Sequence, residues 1–320
     1  GRWLMQAGLM VYDLMAGQRS HGYANRQRTL ELEPGLDPPG LRGALIFSDA
    51  KTDDARLVQR VLMQAQSDGA RCLNYVAATD LMLSDGRVGG VALRDAVLGG
   101  RFVVQARAVV NATGAWADGL RAQLGAQPML RPLRGSHLLV PHARLPVAHS
   151  ISTMHRKDGR PVFLYPWEGC TLIGTTDLDH RDDLAQARIT PPEVDYLLDV
   201  VNDQFPQARL QRGDIVSTYA GVRPVVDDGQ GDASKATRDH VVKDERGLIT
   251  LTGGKLTTFR LMAQDALALA APHAGKPFVR DQGVVFTPAT GCEGWPEPVR
   301  QRLAARYGER AALWSADAPA

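Results

Sequence analysis

The sequence predicts a mixed architecture, part α/β and part α+β, and three features carry that prediction. Leu251-Thr252-Gly253-Gly254-Lys255-Leu256-Thr257-Thr258-Phe259-Arg260 reads as the end of a strand, a glycine turn and the start of a helix. The strand is the alternating run Gly247–Thr252, and the helix is Leu261–Ala270, with helical composition and spacing. A second strand, Ala108–Ala112, ends in small residues and runs into Thr113-Gly114, where backbone can approach a flat ligand closely. A plain strand-to-helix turn reads the same way at both places. Between them, residues 131–235 read as mostly antiparallel strands with one helix.

Taken in order, residues 1–17 carry Trp3, Leu4, Leu9, Met10, Tyr12, Leu14 and Met15 at helical spacing, with Gly17 as a stop. A helix lying on a membrane surface would need a polar face rich in Lys and Arg, which is missing, so a packed helix is preferred. Residues 18–43, polar and rich in Gly and Pro, read as a long connection. Ala44–Phe47 is a short strand. Asp49–Gln66 reads as a helix capped by Thr52, with Asp53 and Asp54 at the positive end of its dipole. Ala55, Val58, Leu62 and Ala65 form its apolar face. Strands are expected at Ala70–Val76, Ala77–Leu83, Arg87–Arg94 and Arg101–Ala106, the last three as a meander turning at Asp85-Gly86 and Gly99-Gly100.

Leu130–Val140 is the next strand. Val162–Trp167 and Cys170–Thr176 pair as a hairpin through Glu168-Gly169. Thr190-Pro191-Pro192-Glu193 opens a helix that runs to Phe205, and Ile215–Pro224 is a strand that stops at proline. Glu297–Tyr307 reads as a final helix.

Bulk properties exclude several functions. A net charge of +2 gives no field that would recruit nucleic acid. Cys72, Cys170 and Cys292 lie far apart without a CxxC, which fits reduced thiols of a cytoplasmic protein. The histidines show no zinc spacing, and neither Asp177 with Asp179 nor Asp53 with Asp54 supplies enough oxygen ligands for a metal, so these read as solvated or capping carboxylates. No run approaches the roughly 20 apolar residues that cross a bilayer. No GxGxxG follows an early strand, so the pyrophosphate seat of a dinucleotide site is not in this sequence.

Seven segments together carry a family resemblance. They are Thr52–Leu57, Val110–Ala117, Arg134–His137, Ile173–Asp177, Tyr219–Pro224, Thr237–His240 and the decamer Leu251–Arg260. In this order the chain resembles the FAD-dependent, quinone-reducing glycerol-3-phosphate dehydrogenases. The resemblance implies an incomplete FAD-binding domain of the glutathione-reductase/D-amino-acid-oxidase type with a mostly antiparallel substrate domain. Residues 1–130 would be part of the FAD domain, 131–235 the substrate domain, 236–286 the return to the FAD domain, and 287–320 the start of a C-terminal helical domain. The family carries its GxGxxG near the N-terminus, so the chain is expected to be an internal portion of a longer protein, inactive by itself.

The implied reaction oxidises sn-glycerol 3-phosphate to dihydroxyacetone phosphate by hydride transfer to flavin N5, with electrons passing to quinone. An oxidase using oxygen shares these motifs, and a non-catalytic binding or assembly module is the reading of another class. The resemblance places the protein in the cytoplasm or peripherally on the inner face of the membrane, and is compatible with a homodimer. Arg223 and Arg238 match its substrate pocket, where paired guanidinium donors suit a phosphate. His137, whose imidazole titrates near neutrality, matches its catalytic histidine, with Lys255 as the rival base or as a charge near the flavin. Thr113, Gly114, Trp116, Gly253, Gly254, Leu256 and Thr257 match its FAD positions. Trp116 reads equally well as a core aromatic.

Overall fold

A computed structural model describes residues 2–17, 20–227 and 239–316. The chain begins with α1 (Arg2–Ala16), β1 (Gly22–Asn25), α2 (Arg26–Leu32), β2 (Gly43–Ile46) and α3 (Asp54–Ser67). A meander of β3 (Val76–Ser84), β4 (Arg87–Asp95) and β5 (Arg101–Gln105) leads to β6 (Val109–Asn111) and α4 (Ala117–Ala122). Next come β7 (Leu130–Pro141), β8 (Ile151–Met154), β9 (Pro161–Trp167), β10 (Cys170–Gly174) and β11 (Leu178–Asp179). They are followed by α5 (Pro191–Gln204), β12 (Ser217–Val226), β13 (His240–Glu245), β14 (Leu248–Gly253) and α6 (Phe259–Ala274). The helices α7 (Glu297–Tyr307) and α8 (Arg310–Ala316) close the chain.

Two compact units result. The first gathers Gly1–Asp49, Thr113–Asp118 and Met129–Asp239. At its centre is a six-stranded antiparallel sheet in which β7 pairs with β12 along one edge and with β10 and β11 along the other. The β9–β10 hairpin turns through Glu168 and Gly169, both at positive φ, as a two-residue loop of this hand requires. Helix α5 starts at Pro191, where a missing N–H costs nothing, and Glu193 reaches back to accept the Thr190 N–H at 2.9 Å. Its buried Leu197, Leu198 and Val201 pack on Leu138, Val140, Leu164 and Ile173 of the sheet. Each such side chain contributes roughly 1.5–3 kcal/mol.

The second unit comprises Ala50–Ala112, Gly119–Pro128 and His240–Ala320. Parallel pairing of β14 with β6, and antiparallel pairing of β14 with β13, form a three-stranded sheet backed by α6. Ile249, Ala266 and Ala270 are the buried contact. Arg121, almost wholly buried, donates two parallel hydrogen bonds to Glu245 at 2.7 and 2.8 Å, and so ties α4 to β13.

Several sequence expectations need correction. Residues 18–43 are not one connection, because β1 and α2 form inside them, with Asn25 capping α2 through the Arg28 N–H. Ala70–Val76 is not a strand: pairing begins only at Val76, after Tyr75 at positive φ. The cap of α3 is Asp53, not Thr52, since the Asp53 carboxylate accepts the Arg56 N–H at 3.2 Å. The apolar face of α3 is not its packed face. Val58 and Leu62 are about half exposed, while Arg60 bonds the Ala304 carbonyl and Arg56 lies over the Tyr307 ring. Among the described side chains of α1 the buried one is Asp13, paired with His21, whereas Met10, Leu14 and Met15 are exposed.

Replacing the true cap tests this assignment. Asp53→Ala is expected to lower stability by about 1 kcal/mol in chemical unfolding, and Thr52→Ala to change it by less than about 0.5 kcal/mol.

Candidate active site

Strict alternation along β7 sorts its residues to two faces of the sheet. Arg134, Ser136, Leu138 and Val140 point toward α5, and Gly135, His137 and Leu139 point away. Register then decides what stands beside them. His137 is opposite Tyr219 on β12 and Gly174 on β10, and Gly135 is opposite Gly221. The His137 and Tyr219 rings stack 4.5 Å apart at 10°. The imidazole also leans over Gly174, where a Cβ would come within 2.1 Å of its Cδ2. The Arg223 guanidinium lies over Gly135 in the same way, 2.4 Å from where a Cβ would be. An imidazole and a guanidinium thus share one open, glycine-floored face.

The opposite face of the same strand is locked. Glu193 is 2% exposed and accepts from Ser136 Oγ at 2.8 Å, Thr176 Oγ1 at 2.7 Å and Arg134 Nη2 at 2.8 Å, besides the Thr190 N–H and hydroxyl. Burial alone would raise its pKa, but the bonds from Thr176, Arg134, Ser136 and Thr190 outweigh it and hold the carboxyl at about 2. Thr176 also accepts the Ser136 N–H at 3.0 Å. Anchored there, the chain after β10 carries Thr175 and Asp177 to Arg223. Arg223 Nη1 donates to Asp177 Oδ1 at 2.9 Å, and Nη2 to Thr175 Oγ1 at 3.2 Å.

In the same unit the tight turn Gly114–Trp116 lies alongside β12. Gly114 has φ +60 with open space where a Cβ would sit, and Trp116 is 53% exposed, which removes its reading as a core aromatic. In the second unit Gly253 and Gly254 both adopt positive φ between β14 and α6. Leu256 and Thr257 follow as an exposed tight turn whose first N–H groups have no acceptor within the helix. Lys255 is exposed beside them.

Each unit by itself offers features that suit FAD: in the first, a left-handed glycine beside an exposed aromatic, and in the second, left-handed glycines and helix-opening amides that could approach a flat ring and donate to its carbonyls. Gly254 has a second reason to be glycine. A Cβ there would meet Met262 Sδ at 2.6 Å and His240 Cβ at 3.0 Å, and His240 is itself held by Asp265 of α6 at 2.9 Å.

Of the residues chosen from sequence, the structure brings His137 and Arg223 together on one sheet face, with Thr113, Gly114 and Trp116 in the same unit. Gly253, Gly254, Lys255, Leu256 and Thr257 belong to the second unit, and Arg238 lies outside the described residues. The solvated or capping reading is corrected for Asp177, which is largely buried and pairs with Arg223, whereas Asp179 is exposed as expected and also pairs with Arg131 at 2.6 Å. Tyr219, Thr175 and Glu193 went unassigned. Tyr219 lies four residues before Arg223, two residues apart twice over, so strand alternation was the available signal.

Comparison with known proteins adds the following. The family model for FAD dependent oxidoreductases matches residues 6–316. The chain is 33% identical over 278 residues to the aerobic glycerol-3-phosphate dehydrogenase of Staphylococcus haemolyticus, covering 85% of this chain and 50% of that protein. It therefore spans about half the length of the curated relatives it matches. The glycerol-3-phosphate dehydrogenase of Bacillus halodurans, solved with FAD, superposes with a TM-score of 0.78 at 31% identity, over 90% of this chain and 60% of that one. The L-α-glycerophosphate oxidase of Mycoplasma pneumoniae, also with FAD bound, shares the fold at a TM-score of 0.64 and 19% identity, over 87% of this chain and 71% of that one.

The Glu193 network makes a signed prediction. A carboxyl moved from 4.5 to about 2 stabilises the folded state fully above about pH 4.5 and loses that contribution as pH falls toward 2. The loss is about 3 kcal/mol. Unfolding followed across that window should show a smaller pH slope for Glu193→Gln, alongside lower stability at neutral pH. Equal slopes would remove Glu193 as the titrating group.

Proposed function

The chain belongs to the FAD dependent oxidoreductase family, and from that premise we propose that it is part of an enzyme oxidising sn-glycerol 3-phosphate to dihydroxyacetone phosphate. The observation that carries this reading is the pairing of an imidazole and a guanidinium over glycines on one open sheet face. The dehydrogenase names of relatives at 33% and 31% identity support it. FAD, when bound, supplies the hydride acceptor. The chain's own residues bind, orient and move a proton.

Arg223 holds the phosphate, because a guanidinium offers paired N–H donors matched to phosphate oxygens. Arg238 is assigned the same task from the sequence motif. His137 accepts the hydroxyl proton as the C2–H bond is oxidised, its ring kept in one orientation by Tyr219 and by the floor at Gly174. Lys255 is the rival base, and electrostatic stabilisation is its first assignment. The cofactor roles that the sequence motifs give to Thr113, Gly114 and Trp116, and to Gly253, Gly254, Leu256 and Thr257, are kept as assignments from the motifs. In this reading residues 131–235 serve the substrate, and 1–130 with 236–286 serve the cofactor.

Quinone is the proposed acceptor, which assigns the protein to the cytoplasm with a peripheral place at the membrane, where quinones reside. Hydrogen peroxide released in step with turnover under air would replace quinone by oxygen.

Arg223→Ala is expected to raise KM for glycerol 3-phosphate by about 10- to 100-fold, the worth of charge-assisted hydrogen bonds, with little change in FAD affinity. His137→Asn is expected to lower kcat by about 100-fold or more with a smaller effect on KM. Steady-state kinetics and flavin titration of the intact protein check both. Equal loss of substrate and FAD binding in Arg223→Ala would make that residue structural.

A further inference from the structure

Asp177 is an acidic group placed where a phosphate would bind, and that placement calls for a reason. Arg223 has five N–H donors. Two are used, one by Asp177 Oδ1 and one by Thr175 Oγ1. The other three have no acceptor among the described residues. The Arg223 side chain is 38% exposed and that of Asp177 only 13%, so the arginine is the more accessible partner of the pair. The position of Asp177 is itself fixed, since Arg160 Nη1 donates to its backbone carbonyl at 2.5 Å. With Gly135 beneath, the guanidinium is held on three sides while donors remain to spare.

We infer that Asp177 is a specificity-determining residue that lets the Arg223 site choose a phosphate monoester over free inorganic anions. The inference rests on the proposed role of Arg223 as phosphate ligand. The pair carries no net charge, so a small oxyanion gains little from long-range attraction and must satisfy the three directed donors instead. A phosphate ester presents the same oxygens and gains further contacts along the sheet face through its carbon chain. Removing the carboxylate would leave an uncompensated cation that attracts any oxyanion. The carboxylate thus offsets the charge attraction that any oxyanion would share, and leaves the choice to the directed donors and to the contacts of the carbon chain.

Isothermal titration of the intact protein with inorganic phosphate, combined with phosphate inhibition of glycerol 3-phosphate oxidation, tests this. Asp177→Asn is expected to bind inorganic phosphate about tenfold tighter, and the ratio of phosphate Ki to substrate KM is expected to fall by about as much. Asp177→Glu, which keeps the charge, should stay within about twofold of the parent. Melting curves establish folding, and Asp177→Ser serves as a second neutral replacement if the Asn variant does not fold. Unchanged or weaker phosphate binding in the neutral variant would overturn the inference. Arg223→Gln separates the underlying reading: if it binds phosphate as the parent does, Arg223 is not the phosphate ligand and both ideas fall. If the neutral variants bind phosphate tighter while the parent does not oxidise glycerol 3-phosphate, the inference stands and the substrate assignment fails.

Discussion

Everything on the open sheet face depends on one buried carboxylate behind it. Glu193 gathers donors from the middle of β7, from the chain after β10 and from the start of α5. Those are the three segments whose relative placement sets where His137, Thr175 and Asp177 stand. A charge that deep is tolerated because donors surround both of its oxygens, and removing the carboxylate would leave Arg134, Ser136 and Thr176 without this acceptor in a buried setting. The network therefore fixes geometry as well as adding stability. A slip of one residue in β7 would carry Ser136 to the open face and His137 into the helix side, where Glu193 waits for a hydroxyl.

Much of this was legible in the chain because local rules and tertiary packing agreed. The two-residue hairpin at Glu168-Gly169, the Thr190-Pro191 helix start, and the Glu297–Tyr307 helix needed only turn chemistry and periodicity. Thr52 and Asp53 are adjacent residues that can both cap, and Asp, the stronger of the two types, takes the position. The apolar stripe of α3 misled because the long arms of Arg56 and Arg60 took the contact with aromatic rings that aliphatic side chains were expected to make. Elements as short as β1 and α2 leave too few periods to detect.

The site was legible by residue type and illegible by neighbourhood. His137 and Arg223 stand 86 positions apart, and nothing in composition tells that β12 lies beside β7 in the register that stacks Tyr219 on His137. Asp177 illustrates the same limit: a carboxylate near another carboxylate reads as solvated until a guanidinium from a distant strand is placed over it. Gly254 shows a subtler one. Its lack of a side chain reads as room for a ligand, and packing against Met262 and His240 demands it as well.

The alternation along β7 has a consequence for how such a protein can change. From position 134 to 140 its even-numbered residues carry the burden of folding and its odd-numbered ones the burden of recognition, so a lineage can explore new substrates at the latter while the former stay under a separate and stricter selection. Two glycines of this face, Gly135 on β7 and Gly174 on the neighbouring β10, escape that freedom. At 135 and 174, across the strand, any side chain would evict the arginine or the histidine lying there, so a breeder of new activities would diversify the rim of this surface and leave its floor alone.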